Sequence, residues 1–178
     1  MPAPAPAPAD DPKWQRAVRE HQDAIARCVA EAEAVPEEAW ARPRARGKWS
    51  PGQVADHLAR SYAAILGELR GGEGVRPRVP AWQQRVFRWT VLPHMLFHRS
   101  FPLRASAPRE IRPAADTPDR AEVLGRLRAL AAETERGMEA ALGSGATISH
   151  PYFGPLPLRT ALRFCAVHVE HHTRQLRA

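Results

Sequence analysis

The stretch LRFCAVHVEHHTRQL, residues 162–176, decides the fold. On a wheel of about 100° per residue, Ala161, Leu162, Cys165, His168, Val169, His172 and Leu176 share one face. Arg159, Arg163, Glu170, Arg174 and Arg177 take the other face, and His171 lies at the border. The pattern predicts an amphipathic helix from about Pro157 to Arg177 with two imidazoles inside its apolar face. Such a face must be covered by partner elements.

Upstream, the same period recurs. From about Pro12 to Glu33, Trp14, Val18, His21, Ile25, Cys28 and Ala32 line one side, and Pro36 ends the pattern. A second helix opens at Ser50-Pro51, an N-cap followed by the residue best suited to the first helical position. Its inward stripe is Val54, Leu58, Ser61, Ile65 and Leu69, and Gly71-Gly72 stops it. An insert from about Glu73 to Asp116 is broken by six prolines, among them Pro80, Pro93 and Pro108. A short helix is expected over Trp82 to Leu92, with Trp82, Val86 and Trp89 on one side and Pro93 kinking or ending it. Thr117-Pro118 then starts a long helix carrying Val123, Leu127, Leu130, Thr134, Met138 and Ala141 inward, closed by Gly143 and Gly145. No segment reads as a strand. The expectation is an all-α four-helix bundle with an additional short helix in a long crossover insert.

The 178 residues are 44% hydrophobic and 25% charged, ordinary for one globular domain. That composition excludes a collagen, a disulfide scaffold and a disordered chain. No apolar run approaches the roughly 20 residues of a membrane span. Residues 1–11 alternate Ala and Pro and read as a disordered tail, not a secretory signal, leaving 12–178 as the domain. Cys28 and Cys165 lack paired spacing and read as reduced core residues, which points to the cytoplasm. Of the net charge of +7, most sits between Arg70 and Arg104, where seven arginines face one acid, Glu73.

The eight histidines carry the chemistry. His168 and His172, at i and i+4, can turn both rings toward one ion at about 2.1 Å, or form a hydrogen-bonded core pair. The helix offers few inward polar groups besides Gln175, which favours the metal. His57, at the edge of the second helix's buried face, can supply a third ligand. Tyr62 is a weak candidate acid or hydrogen-bond donor, with a structural tyrosine the simpler reading. Asp56 and Glu170 adjoin ligands in sequence but point about 100° away, so they read as solvated charges, as do Glu133 and Glu135. His150 reads as structural, His21 as a core or border residue, and the pair His94/His98 as a poor second metal site beside Pro93.

Three segments resemble the DinB/YfiT-like superfamily of metalloenzymes. Trp49-Ser50-Pro51-Gly52-Gln53 leads to His57-Leu58, as in the family's Trp-Ser motif before its first His-Leu. His150-Pro151-Tyr152-Phe153-Gly154 looks like the turn before the last helix in one branch. His168 to His172, with Gln175-Leu176, is similar to the closing His-x-x-x-His and Gln-Leu. The resemblance implies an up-down-down-up bundle over about residues 12 to 178, often dimeric, with a divalent metal on His57, His168 and His172. Related enzymes include thiol-dependent S-transferases and a mycothiol-dependent isomerase. The Arg-rich insert departs from the better-studied branches, so their substrates do not carry over.

Three neutral imidazoles leave a divalent ion one open position and its full charge, as in catalytic sites. Zinc, nickel and iron all suit such a set. The expected function is metal-dependent S-transfer with a low-molecular-weight thiol, or hydrolysis, on a small substrate that the arginines suggest is anionic. The alternative is a non-enzymatic binding or interaction module. Without a Glu-x-x-His pair, a ferritin-like di-iron centre is disfavoured. For Arg70–Arg104 a solvated surface ranks first, a substrate lid second, and contact with nucleic acid or membrane last. A homodimer is compatible with the pattern.

Overall fold

A computed structural model describes residues 10–102 and 107–177. Most of the expected Ala/Pro tail, residues 1–9, lies outside the described residues. Among the described residues there are six helices: α1 (Pro12–Glu33), α2 (Glu37–Trp40), α3 (Pro51–Leu69), α4 (Ala81–His98), α5 (Arg120–Ala140) and α6 (Leu158–Arg177). A 3-10 turn, Arg109–Ile111, precedes α5. The protein is mostly helical, with one two-stranded antiparallel hairpin.

Ion pairs between helices reveal the topology. Along α1 and α6, Asp11 meets Arg159, Glu20 meets Arg163, Arg27 meets Glu170 and Glu31 meets Arg177, so the two helices run parallel. Along α3 and α5, Asp56 pairs with Arg126 and Arg70 with Glu133, again parallel. Between α1 and α5 the order reverses, with His21 opposite Glu135 and Glu33 opposite Arg128. Taken in chain order, α1, α3, α5 and α6 therefore go up, down, down, up. The core between them is built from Ala24, Cys28, Leu58, Tyr62, Leu127 and Val169, among others.

Local sequence explains the helix starts. Ser50 caps α3 in a reciprocal capping box with Gln53, and Pro51 occupies the first turn. Gly52 is required there, because a Cβ would collide with the Thr117 methyl and come within 2.9 Å of Trp40 Nε1. α5 begins later than Thr117-Pro118 suggests. Asp119 is the cap, its side chain accepting from the Glu122 amide.

Three elements depart from expectation. The helix in the insert does not end at Pro93 but runs to His98. Pro93 lies on the exposed side, where water can take the place of the amide bond that proline does not donate. The segment before α6 is a hairpin, Thr147–His150 paired with Gly154–Pro157. Its three-residue loop closes on Gly154, whose φ of +67° favours glycine. The short α2 places Trp40 under Arg120, whose guanidinium stacks 4.7 Å from the ring centroid.

Candidate metal centre

α3 brings His57, and α6 brings His168 and His172, to one point between antiparallel helices. His168 Nε2 lies 3.3 Å from His57 Nε2 and 3.1 Å from His172 Nε2. Ligand atoms of all three lie within 4.8 Å of one another, and no carboxylate or thiol joins the group among the described residues. Nitrogens bound tetrahedrally to one ion at about 2.1 Å stand roughly 3.4 Å apart, so the spacing matches a shared ion.

The outer nitrogens settle which lone pairs point inward. His57 Nδ1 donates to the Ile111 carbonyl at 2.7 Å, and His172 Nδ1 donates to Gln175 Oε1 at 2.9 Å. Both Nε2 atoms are then bare acceptors. A single proton on His168 Nε2 can serve only one of them, whereas a cation satisfies all three. Burial, and then the neighbouring imidazoles, hold the His168 and His172 rings well below the ordinary histidine range. Burial also lowers His57, against a smaller opposing effect of the Ile111 bond. All three are neutral at pH 7, the form that binds metals.

The loop carrying Ile111 is held by a residue that sequence reasoning misread. Asp56 is 2% exposed, not solvated. It accepts from Arg60 at 2.7 Å and from the Ala114 amide at 2.9 Å, and it pairs with Arg126. Burial alone would raise its carboxyl, but these donors outweigh it and hold the group below the ordinary carboxylate value. Glu170 is likewise engaged, gripped by Arg99 at 2.7 Å and by Arg27 at 2.9 Å. Glu133 pairs with Arg70, and Glu135 is bonded to His21 and Gln22.

The three histidines sit in the wall of a cleft of about 1250 Å³. Trp49 covers them from α3's approach, its ring tilted 4.8 Å from that of His57 and stacked 6.2 Å from that of His172. Phe101, Phe164 and Tyr152 add aromatic walls. No acidic residue lines the cleft among the described residues, while Arg44, Lys48 and Arg112 do. Of the arginines between 70 and 104 that the sequence suggested for a substrate lid, the six among the described residues are absent from that lining, and Arg104 lies outside the described residues.

A model of the DinB superfamily matches residues 22–176. The chain belongs to the DinB superfamily. Membership agrees with the helical fold and with a histidine cluster able to hold a metal ion. No curated protein and no solved structure matches the chain.

The remaining candidates of this DinB protein separate by place. Tyr62 lines the cleft, but its hydroxyl is bonded to His21 Nε2 at 2.8 Å, and burial raises it well above the ordinary phenol range. His150 turns Nδ1 back to accept from the Tyr152 and Phe153 amides, both at 3.2 Å, so it builds the hairpin loop. His94 and His98, with ring centroids 4.3 Å apart, are exposed on α4 and belong neither to the cluster nor to the cleft lining. Cys28 and Cys165 are free and buried, and burial pushes the Cys165 thiol up to about 12. Sequence reasoning missed two contributors, the Ile111 carbonyl and the Trp49 lid. The former is a backbone atom in an irregular loop and leaves no residue signal. Trp49 was visible in its motif, but nothing local says that its ring folds onto the histidines.

Proposed function

We propose that this protein is a metal-dependent enzyme that holds a divalent ion on His57, His168 and His172 and acts on a small anionic or thiol-containing substrate. One observation carries the reading. Three inward Nε2 atoms converge in the wall of a large cleft, with no fourth protein ligand among the described residues. A structural tie would be closed; a set of three neutral ligands beside open space leaves room for substrate. Zinc, nickel or iron would fit these imidazoles, and the ion would supply charge that activates a bound water or thiol.

The chain's own residues do the rest. Ile111 and Gln175 fix the tautomers of His57 and His172. Trp49, Phe101 and Phe164 exclude water around the cluster. Lys48 and Arg112 give the cleft a positive lining suited to a carboxylate or other anion. The volume exceeds the usual range of about 300–1,000 Å³ for one ligand, so a substrate and a low-molecular-weight thiol fit together. This supports the S-transfer reading over simple hydrolysis. An intracellular site and a homodimer remain expectations of the same reading; among the described residues, no helix is long and apolar enough to cross a membrane.

Elemental mass spectrometry on tag-free protein, beside His168→Ala and His172→Ala, tests it. Near-stoichiometric zinc, nickel or iron lost in both variants supports the site, and thiol-dependent transfer by the loaded protein supports the activity. A wild type that takes up none of the three at micromolar concentration sinks the reading and leaves a binding module.

A further inference from the structure

Among the described residues, the large apolar side chains left exposed all lie on α4: Trp82 at 64%, Val86 at 48%, Trp89 at 80% and Phe97 at 82%. With Pro93 they fall inside a stripe about 80° wide, along a helix about 27 Å long. The opposite face of α4 is already used. Gln84, Leu92 and Met95 are buried, and Phe87, Val91 and Met95 line the cleft. Two tryptophans held in water on one stripe mark an interaction face rather than scattered surface apolarity.

Charge selects what covers it. α4 contains Arg85 and Arg88 and no acidic residue. Arg85 borders the stripe and is exposed, with no ion pair among the described residues, and Arg78 is exposed in the approach to the helix. Arg70 and Arg99, by contrast, are already neutralised by Glu133 and Glu170. A second copy of α4 laid on this face would set basic residues against basic residues. A nucleic acid would answer the charge but not a straight stripe that includes Val86 and Phe97. An anionic lipid surface answers both, and indole rings suit the headgroup level.

We propose that α4 docks in the plane of an anionic membrane surface, with Trp82, Val86, Trp89 and Phe97 in the headgroup–acyl boundary and Arg78 and Arg85 on lipid phosphates. The same helix is a wall of the cleft, so docking sets the cleft beside the bilayer.

Flotation of the full chain with phosphatidylcholine vesicles, with and without phosphatidylglycerol, tests the proposal. The wild type floats with the anionic vesicles only, its indole emission shifts to the blue, and high salt weakens binding at least about tenfold. Trp82→Ser/Trp89→Ser and Arg85→Glu each reduce binding by about tenfold or more while the melting temperature and metal content stay unchanged. Failure of the wild type to float with anionic vesicles overturns the proposal, as does undiminished binding of the double tryptophan variant. A dimer that the tryptophan variant dissociates, without vesicle binding, assigns the stripe to a second copy instead. Salt-sensitive DNA binding indifferent to the tryptophan changes assigns the charge to nucleic acid.

Discussion

At the residue scale, His150 shows how one imidazole's contacts set a pH limit. Its Nδ1 accepts two backbone N–H bonds, and burial lowers its pKa to about 3. Protonation would cancel both bonds and place a charge among Phe153 and Phe164. The folded-state value lies below the unfolded one of about 6.5. The stabilisation is therefore complete above about pH 6.5 and is lost as pH falls toward 3, by on the order of 1 kcal/mol per pH unit. His150→Asn keeps an acceptor for the two amides and cannot be protonated. Denaturant titrations of metal-free protein at pH 8 and pH 5 should show a smaller loss for the variant than for the wild type. Equal losses would mean that His150 is not the titrating group. His150 was legible as structural because it precedes Pro151 and an aromatic turn. Its two amide bonds were not, since they depend on the hairpin.

Among the elements, those decided by local sequence are legible. Ser50-Pro51 announces α3, because capping is decided within one turn. The apolar period announces α1, α3, α5 and α6. The hairpin was invisible, because its four-residue strands include Pro155 and Pro157 and make a weak alternation. The sequence ends α4 near Pro93 and the structure carries it to His98, because the penalty of an interior proline depends on which face it occupies, and that face is set by packing. The loop that orients His57 belongs to this scale too. Asp56 ties α3 to Ala114, three residues past the Ile111 carbonyl. Asp56→Ala frees that loop and leaves Arg60 and Arg126 without their carboxylate. A stability loss of about 1–2 kcal/mol is expected. The larger effect is a 10–100-fold weaker metal affinity, because the His57 tautomer loses its anchor. Competition against a chromogenic chelator measures it. Unchanged affinity in a folded variant would show that the loop does not orient the ligand.

Across the whole molecule, the helix pairings are beyond a local reading, because they rest on long-range packing of apolar faces such as Cys28 with Cys165 and Leu58 with Leu127 in one core. Only the resemblance suggested the up-down-down-up order. The same scale explains Tyr62. With Nδ1–H donated to Glu135 at 3.1 Å, His21 Nε2 accepts the Tyr62 hydroxyl, so α1, α3 and α5 are joined by one buried chain. Cys28 and Cys165 pack in the same core cluster as Tyr62, which places α6 at the same junction. The arrangement ties the bundle together and leaves the hydroxyl committed away from the histidine cluster. Tyr62→Phe leaves a buried acceptor on His21 without a partner and should destabilise the fold by about 1–3 kcal/mol. Tyr62→Phe/His21→Leu removes both ends of the bond and should recover part of that loss. Glu135 then keeps Gln22, at 2.8 Å, and its access to water. Metal stoichiometry should be unchanged in both variants. Denaturant unfolding together with metal analysis separates the two roles. A Tyr62→Phe protein of full stability that has lost transfer activity would place the phenol in the chemistry. A less stable protein with intact metal content and activity would leave it as the tie between helices.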